Sequence, residues 1–129
     1  MDVKVVDASA LAAIMFDEPE GEVVAVRLED ARLIAPVLLG FEIANVCLTK
    51  LRRDPEARAA ILEAFVLQGG LTIESAHVDH AGVLILAEQT RLTGYDASYL
   101  WLAQRLNAEL ITLDRPLRRA AATLGLGQA

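Results

Sequence analysis

Four short, mostly apolar runs alternate with longer segments of helical periodicity along this chain of 129 residues. The runs span residues 3–6, 32–35, 71–74 and 109–113, and predicted helices separate each run from the next. Short strands that are apolar on both faces and joined through helices are typical of a parallel sheet covered by helices. The sequence therefore predicts an α/β fold, with a short parallel sheet flanked by helices on both sides and residues 1–129 forming a single domain.

The composition narrows the class of protein further. Apolar residues make up 54% of the chain and the formal net charge is −6. The chain is therefore neither disordered nor a non-specific coat for nucleic acid, which needs a broad basic face. The single cysteine, Cys47, excludes an internal disulfide framework and a cysteine-based zinc site. A local basic patch is still compatible with this composition.

The first residues do not resemble a targeting segment. Charged residues interrupt the apolar stretch between Met1 and Asp7, whereas a signal peptide needs an unbroken apolar stretch after a basic start. No window reaches about 18 consecutive apolar residues, the length that spans a membrane. We therefore expect a cytoplasmic location and no association with a membrane.

Four carboxylates occupy unusual positions in this pattern. Asp7 and Asp114 directly follow predicted strands, and binding sites in parallel sheets form at the carboxyl ends of strands. Glu42 is the only charge in the otherwise mostly apolar run 37–48, and Asp96 lies in the first turn of a predicted helix. These residues allow a structural and a functional interpretation.

The structural interpretation is that the aspartates stabilise the starts of helices. Asp7 or Ser9 can cap the first helix, and Asp114 can cap the last. Asp96 stands three residues after Thr93, which is the spacing of a capping box. The sequence leaves capping and a functional role both open for these aspartates.

Glu42 is harder to explain as a cap, because it lies within the longest predicted helix, over 37–53. Steps of three and four residues place it in one narrow polar stripe on a helix that is otherwise apolar. The stripe is either an ordinary solvent-facing side or the lining of a pocket. Its members are Leu38, Glu42, Asn45, Thr49 and Arg52.

The functional interpretation is a metal site. Clustered carboxylates in a pocket repel one another and lose hydration, which raises their pKa values unless a cation compensates. Carboxylate oxygens are hard ligands that select Mg²⁺ or Mn²⁺ over Zn²⁺. Such an ion can activate a water and stabilise the charge that develops during phosphodiester cleavage.

The four segments that carry these acids resemble the motifs of PIN domains, and most closely those of the VapC-type toxins of prokaryotic toxin–antitoxin pairs. The resemblance covers essentially the whole chain, with the motifs in the family's order and at similar spacing. It implies a PIN-like fold, which agrees with the predicted parallel sheet. The segments read Val-Val-Asp7-Ala-Ser9-Ala-Leu, Phe-Glu42-Ile-Ala-Asn45-Val, Tyr95-Asp96-Ala-Ser-Tyr-Leu-Trp-Leu-Ala and Leu-Ile-Thr112-Leu-Asp114-Arg.

The resemblance implies a magnesium-dependent endoribonuclease in which Mn²⁺ can substitute for Mg²⁺. Asp7 and Asp96 match the principal metal-binding aspartates of the family. Glu42 and Asp114 match the acids that complete or flank the metal site. The implied metal ligands are Asp7, Asp96, Glu42 and Asp114, Ser9 joins them as a catalytic residue, and Thr112 is a further hydroxyl near the site.

The resemblance also implies the partners. VapC-type toxins are usually homodimers, act on RNA, and are inhibited by an antitoxin whose C-terminal segment enters the active-site groove. The run 37–48 and the predicted helix over 95–106 are apolar on most sides, and such helices must be covered by something. We therefore expect a second copy of the chain and a cognate antitoxin to cover them.

RNA binding by so acidic a chain has to rely on local cations together with the metal. Three arginines follow the last acid within five residues, and they either contact backbone phosphates or form a solvated helix face. Two more arginines end the helix that carries the glutamate. These candidates are Arg115, Arg118, Arg119, Arg52 and Arg53.

Four other residues have simpler interpretations. His77 and His80 are interpreted as surface or capping residues at a helix start, because further transition-metal ligands are not evident. Tyr99 and Trp101 lie in a strongly apolar helix, so we interpret them as core or dimer packing rather than as platforms for base stacking.

Other classes of protein fit the sequence less well. A receiver-like phosphorelay domain needs a late lysine, but lysine occurs only at positions 4 and 50. A haloacid-dehalogenase-like phosphatase uses an Asp-x-Asp motif, and here the second position is Ser9. The alternative that stays open is a non-catalytic PIN-like module that binds RNA or an antitoxin, although all four acids are present.

Overall fold

The computed structural model describes residues 1–127 and contains a sheet of four strands. The strands are β1 (Val3–Val6), β2 (Arg32–Pro36), β3 (Ile73–Ala76) and β4 (Glu109–Ile111). Neighbouring strands are parallel, and their order across the sheet is β3-β2-β1-β4. This confirms the predicted α/β architecture. Residues 128 and 129 of the predicted single domain lie outside the described part of the chain.

Within residues 1–127, helices follow every strand, so that helix starts and strand ends lie at the same edge of the sheet. None of these helices has the length and apolar character needed to cross a membrane. The helices are α1 (Ala8–Met15), α2 (Gly21–Leu28), α3 (Leu39–Arg53), a 3₁₀ turn (Pro55–Ala57), α4 (Arg58–Gln68), α5 (His80–Thr90), α6 (Gly94–Leu106) and α7 (Arg115–Thr123).

β1 lies in the interior of the sheet, between β2 and β4. Val5 pairs with Ile34 of β2 and with Leu110 of β4. Val5 and Val6 are both fully buried but belong to different core clusters, because successive side chains of a strand point to opposite faces. A strand that is buried on both faces needs helices on both sides of the sheet.

Helices cover both faces of the sheet, as predicted. On one face, α2 packs against β1 and its neighbours through Val24 and Leu28. On the other face, a larger core cluster joins apolar side chains from α3, α6 and α7, which include Ile43, Leu100 and Leu117. The face covered by α6 is the one that matters for function, because α6 brings polar side chains to the carboxyl edge of the sheet.

Three strands have bounds that differ from the sequence prediction. β2 extends one residue further, to Pro36, and β3 ends at Ala76 rather than at residue 74. β3 begins at Ile73 rather than at residue 71, because residues 69–71 continue a turn past α4 by donating to the carbonyls three residues earlier. β4 ends at Ile111 rather than at residue 113, because the backbone N–H of Leu113 donates to Ser9 Oγ. In both cases, backbone N–H groups near the strand end make hydrogen bonds outside the sheet instead of continuing the pairing between strands.

The prediction that the helix over 95–106 needs cover from a partner is wrong for most of the helix. α6 packs against β1, β2, α5 and α7, so most of its apolar side chains are covered within the chain, while Tyr95 and Leu106 at its ends are exposed. Large apolar side chains are also exposed on other helices, for example Phe41 on α3, Val66 on α4 and Leu84 on α5. The periodicity of α6 shows that it is apolar on most sides, but only the tertiary structure shows what it packs against.

Candidate active site

Asp7 lies at the carboxyl end of β1, where the chain turns into α1. It is only 4% exposed. Its Oδ1 accepts a hydrogen bond from the backbone N–H of Ala10 at 3.0 Å, which makes Asp7 the N-cap of α1. The capping interpretation is therefore confirmed. It does not exclude a ligand-binding role, because a carboxylate has about four lone-pair sites and the cap uses one of them.

Two hydroxyl groups hold the two oxygens of Asp7. Ser9 Oγ donates to Asp7 Oδ1 at 2.7 Å, and Thr112 Oγ1 donates to Asp7 Oδ2 at 2.5 Å. The same hydroxyls accept from the backbone beyond β4: Ser9 from the N–H of Leu113 at 2.9 Å, and Thr112 from the N–H of Asp114 at 3.1 Å. This network ties the ends of β1 and β4 together and fixes the orientation of the Asp7 carboxylate.

Asp114 is also an N-cap. Its Oδ2 accepts from the backbone N–H of Leu117 at 3.0 Å, at the start of α7. The side chain is partly buried, and its negative charge contributes to raising the pKa of Asp7. Asp114 therefore lies close enough to Asp7 for the two charges to interact.

Asp96 is in the first turn of α6, and it is capped rather than capping. Thr93 Oγ1 accepts from the backbone N–H of Asp96 at 3.1 Å, so the capping-box spacing correctly predicts the start of this helix. The carboxylate of Asp96 is partly buried, and it accepts no hydrogen bond from any residue in the range 1–127. Among the four acids, Asp96 has the carboxylate that is most available to a ligand.

Glu42 reaches the site from the first turn of α3. Its Oε1 accepts a hydrogen bond from Tyr99 Oη at 2.5 Å. Tyr99 lies three residues after Asp96, and residues at that spacing share one face of a helix. One face of α6 therefore carries both an acid of the site and the donor that holds a second acid.

The polar stripe of α3 is divided between the two interpretations offered by the sequence. Leu38 and Glu42 are partly buried and line a groove together with exposed Phe41. Thr49 and Arg52 are exposed to solvent and do not line this groove. The pocket interpretation is thus confirmed for the first turn of the helix and wrong for the last.

Burial dominates the electrostatics of Asp7 and Glu42. Burial raises the pKa of Asp7, although the hydrogen bonds from Thr112, Ala10 and Ser9 oppose this shift. Burial also raises the pKa of Glu42, where the Tyr99 hydrogen bond opposes the shift and the charge of Asp7 adds to it. Both carboxylates are therefore harder to ionise than in water.

Asp96 shows that the four acids interact. Burial raises its pKa to about 6, and the charges of Asp114, Asp7 and Glu42 contribute to this shift in that order. Because Asp96 senses all three other acids, the four carboxylates lie within electrostatic reach of one another. The raised pKa of Asp96 reflects burial first and the negative charges of the three other acids second.

The donor set of the site consists of carboxylate oxygens. Within residues 1–127, no group of three or more acidic, histidine or cysteine side chains is placed so that it could hold a metal ion by itself. Mg²⁺ usually keeps several waters and is bound through one or two carboxylates and substrate phosphates, and hard carboxylate oxygens are the ligands that Mg²⁺ and Mn²⁺ prefer. The chemistry of the donors therefore fits Mg²⁺ or Mn²⁺, although the described side chains do not form a complete metal-binding group.

The arginines of α7 are placed unequally relative to the acids. Arg118 donates through Nε and Nη2 to the backbone carbonyl of Thr112, both at 3.3 Å, which positions its guanidinium beside the hydroxyl network. Arg115 and Arg119 are exposed on the same helix, and Arg119 lines a separate groove that contains Thr90 and Leu92. Arg118 is therefore the arginine of α7 that the described contacts bring to the site.

Other candidates stay apart from the acids. Arg52 and Arg53 end α3, and the helical rise places them about 15 Å from Glu42 along the axis. His77 and His80 are exposed, so their interpretation as surface residues is confirmed.

Tyr99 is the residue whose role the sequence reasoning missed. Its interpretation as core packing is correct, since it is 1% exposed and belongs to the larger core cluster. Its hydroxyl, however, contacts Glu42. The available signal was the three-residue spacing from Asp96, which places a polar atom on the same helix face as a site acid.

Comparison with known proteins agrees with this geometry. The sequence model of the PIN domain family matches residues 4–123. The chain is 31% identical over 118 residues to Ribonuclease VapC3 of Pyrobaculum aerophilum, and the match covers 88% of this chain and 90% of that protein. The crystal structure of PAE2754 from Pyrobaculum aerophilum has a TM-score of 0.71 and 25% identity, and covers 92% of this chain and 84% of that one. The motifs, the fold and these matches agree, and the chain belongs to the PIN domain family, among its VapC-type members.

Proposed function

We propose that this chain is a metal-dependent endoribonuclease that acts as the toxin of a toxin–antitoxin pair and hydrolyses RNA phosphodiester bonds with a metal-activated water. The observation that carries the proposal is Asp7, a buried carboxylate that two hydroxyls orient at a strand end among three further acids. Such an arrangement opposes folding, because burial and like charges both disfavour ionised carboxylates. The similarity to Ribonuclease VapC3 supports the same activity.

Mg²⁺ is the cofactor in this proposal, and Mn²⁺ can replace it. Asp7 and Asp96 are the principal ligands, and Glu42 and Asp114 complete or flank the site. When bound, the ion would polarise a water and offset the charge that develops on the phosphate.

The residues of the chain contribute mainly by preorganisation. Ser9 and Thr112 hold both oxygens of Asp7 in one orientation, so this carboxylate does not reorganise during the reaction. The carboxylate of Asp96 accepts no hydrogen bond from residues 1–127, so it is available to orient a water or the ion. Ser9 thus contributes to catalysis in this proposal as a positioning residue, because its hydroxyl holds the carboxylate of Asp7.

RNA would approach along the start of α7. The formal net charge of −6 disfavours a general attraction to RNA, so local cations have to supply it. Arg118 lies beside Thr112, and Arg115 and Arg119 are exposed on the same helix. Their guanidinium groups can contact backbone phosphates on either side of the cleaved bond.

The antitoxin would bind at the first turn of α3. The groove there is lined by Leu38, Phe41 and Val46, with Glu42 among its residues. Phe41 is 79% exposed, so a C-terminal segment of the antitoxin can cover it with apolar side chains. A basic side chain of that segment would compete with the metal for Glu42. Replacement of Phe41 by serine should then weaken the complex with the antitoxin, as measured by calorimetric titration.

A homodimer would cover apolar surface elsewhere. Exposed apolar side chains are concentrated near the end of α4, where Val66 and Leu67 are 72% and 69% exposed. A second copy of the chain is the proposed cover. Light scattering of the purified chain tests this proposal, and a strictly monomeric chain at micromolar concentration would contradict it.

The experiment that tests the activity is a cleavage assay on a panel of RNAs, with Mg²⁺, Mn²⁺ or excess EDTA. Asp7→Asn is the test variant, and we expect cleavage to fall by on the order of 10²–10³-fold. Asp79→Asn is the matched control. Asp79 caps α5 by accepting from the N–H of Gly82 at 3.0 Å, outside the acidic group, and asparagine caps as well as aspartate.

The other acids rank in a defined order. Asp96→Asn should be as damaging as Asp7→Asn, because these two are the proposed principal ligands. Glu42→Gln should also be severe, and Asp114→Asn should be milder, because Asp114 is proposed to complete or flank the site. Cleavage that persists in excess EDTA would contradict the metal mechanism. Binding of RNA or antitoxin without any cleavage would favour the alternative, a non-catalytic PIN-like module.

A further inference from the structure

Tyr99 has its ring in the core and its hydroxyl at the active site. The residue is 1% exposed, and its ring belongs to the larger core cluster. Its Oη donates to Glu42 Oε1 at 2.5 Å, the one hydrogen bond that this hydroxyl makes within the described residues. A buried tyrosine hydroxyl needs a partner. Here that partner is one of the four acids rather than a backbone carbonyl.

The hydroxyl of Tyr99 is a donor to Glu42. A phenolic hydroxyl keeps its proton at neutral pH, and Tyr99 Oη donates it to Glu42 Oε1. Because packing fixes the ring, the donor has one position in space. A flexible glutamate side chain that meets a fixed donor is restricted to a narrow set of orientations.

The hydrogen bond divides the two oxygens of the Glu42 carboxylate. Oε1 is occupied by Tyr99, and Oε2 accepts no hydrogen bond from residues 1–127. Glu42 also lies close enough to Asp96 for the charges to interact. Tyr99 and Asp96 share one face of α6. α6 thus carries Asp96, whose carboxylate accepts no hydrogen bond from residues 1–127, and also Tyr99, which holds Glu42 by one oxygen.

We propose that Tyr99 is a positioning residue for Glu42, whose Oε1 it holds so that Oε2 is presented to the divalent cation. This inference rests on the proposed metal-dependent function. Metal ligands are commonly oriented by a hydrogen bond from a neighbouring residue, and loss of that neighbour typically weakens metal affinity about 10–100-fold.

The test is a titration with Mn²⁺ followed by electron paramagnetic resonance, which measures metal affinity without any RNA. Tyr99→Phe keeps the ring and removes only the hydroxyl. We expect its affinity for Mn²⁺ to fall by about 10-fold or more. Tyr95→Phe is the matched control, since Tyr95 is the other tyrosine of the chain, lies on the same helix and is 68% exposed. Its affinity for Mn²⁺ should equal that of the wild type.

A double-mutant cycle shows whether Tyr99 acts through Glu42. In the Glu42→Gln background, the effect of Tyr99→Phe on Mn²⁺ affinity should be largely lost, because its target carboxylate is gone. Melting of the metal-free variants is measured in parallel. A purely structural hydroxyl would lower the melting temperature of Tyr99→Phe and leave its Mn²⁺ affinity unchanged.

The outcomes separate the inference from the function on which it rests. If the wild-type chain binds no Mn²⁺, the metal-dependent function and the inference are both wrong. If the wild type binds Mn²⁺ and Tyr99→Phe binds it equally well, only the inference is wrong. An equal loss of affinity in both Glu42 backgrounds also overturns it, since Tyr99 would then act by another route.

Discussion

Asp7 and Asp114 each perform two tasks, since they cap α1 and α7 and also belong to the acidic group. At the start of a helix, backbone N–H groups and the helix dipole stabilise negative charge. Capping therefore offsets part of the repulsion that the acids exert on one another. At the residue scale, capping and membership of the acidic group are therefore compatible for these aspartates, because the helix start stabilises their negative charge.

Asp96 contributes to the pH dependence of the stability of the metal-free chain, together with Asp7 and Glu42, whose pKa values burial also raises. Its pKa is about 6 in the folded chain against an ordinary 3.8, so the folded state holds this proton more tightly than the unfolded state. The contribution of Asp96 to the free energy of unfolding therefore falls as the pH rises from about 4 through about 6. As the pH rises from about 5 to about 7.5, we expect the free energy of unfolding of Asp96→Asn to fall less than that of the wild type. Melting curves in EDTA measure this, and an identical pH dependence of the two proteins would contradict it.

Thr112→Val tests the hydroxyl network. The change keeps the shape of the side chain but removes the donor to Asp7 Oδ2 and the acceptor for the N–H of Asp114. We expect the free energy of unfolding to fall by about 1–3 kcal/mol, because both groups lose a partner. Thr49→Val is the control, since this hydroxyl bonds a carbonyl on the exposed side of α3, and its effect should stay within about 0.5 kcal/mol. If urea denaturation shows the same loss of unfolding free energy for Thr112→Val and Thr49→Val, the hydroxyl network does not contribute to stability.

At the scale of elements, all four acids come from the starts of helices. Asp7 and Asp114 are N-caps, and Glu42 and Asp96 lie in the first turns of α3 and α6. In a parallel sheet, the helices that follow the strands begin at the carboxyl edge. The fold thus gathers several helix starts, with their partial positive charges, around the place where the acids meet.

The contact between α1 and α2 gives a prediction at this scale. Gly21 begins α2, and a Cβ atom there would lie 2.5 Å from the backbone oxygen of Ala13 in α1. We expect Gly21→Ala to lower the free energy of unfolding by about 1–3 kcal/mol, because the two helices must separate. Gly40 lies within α3, and a Cβ there would meet nothing within 4 Å. Gly40→Ala should therefore be neutral or stabilise the chain by up to about 1 kcal/mol. Denaturant unfolding of both variants measures the difference, and a stable Gly21→Ala would contradict the packing described.

At the scale of the whole molecule, repulsion among the four acids at the carboxyl edge of the sheet opposes folding, whereas packing of the core favours it. The chain has 18 acidic residues against 12 lysines and arginines, and four of the acids are held together by the fold. Burial of the core on both faces of the sheet stabilises the folded chain and offsets the repulsion among these acids. A divalent cation would relieve the repulsion, so the stability of the whole chain should report its binding.

Mg²⁺ should therefore raise the melting temperature of the wild-type chain. A ligand that binds only the folded state stabilises it by about 2.7 kcal/mol at 100 times its dissociation constant. Asp7→Asn and Asp96→Asn should show a smaller increase, because each removes a ligand and a charge. NaCl of equal ionic strength is the control, since salt alone screens repulsion without binding. Equal shifts from MgCl₂ and NaCl would contradict a specific metal site.

The sequence by itself determined the class of fold and the identity of the acids. Strand and helix periodicity are local properties, so the runs that became β1 and β2 could be located to within about a residue from the pattern alone. The position of Asp7 directly after β1, and of Asp114 shortly after β4, already placed them at one edge of a parallel sheet. The bounds of β3 and β4 were less accurate, because turn and side-chain hydrogen bonds decide where those strands start or end.

Only the tertiary structure decided which groups touch. The Thr112 hydroxyl meets Asp7 across 105 residues of sequence, and the Tyr99 hydroxyl meets Glu42 across 57. It also decided that most of α6 is covered within the chain, while α4 keeps Val66 and Leu67 exposed. Periodicity reports how apolar a helix is, but not what packs against it. Contacts between distant segments depend on how all the elements pack together, and no local pattern contains that information.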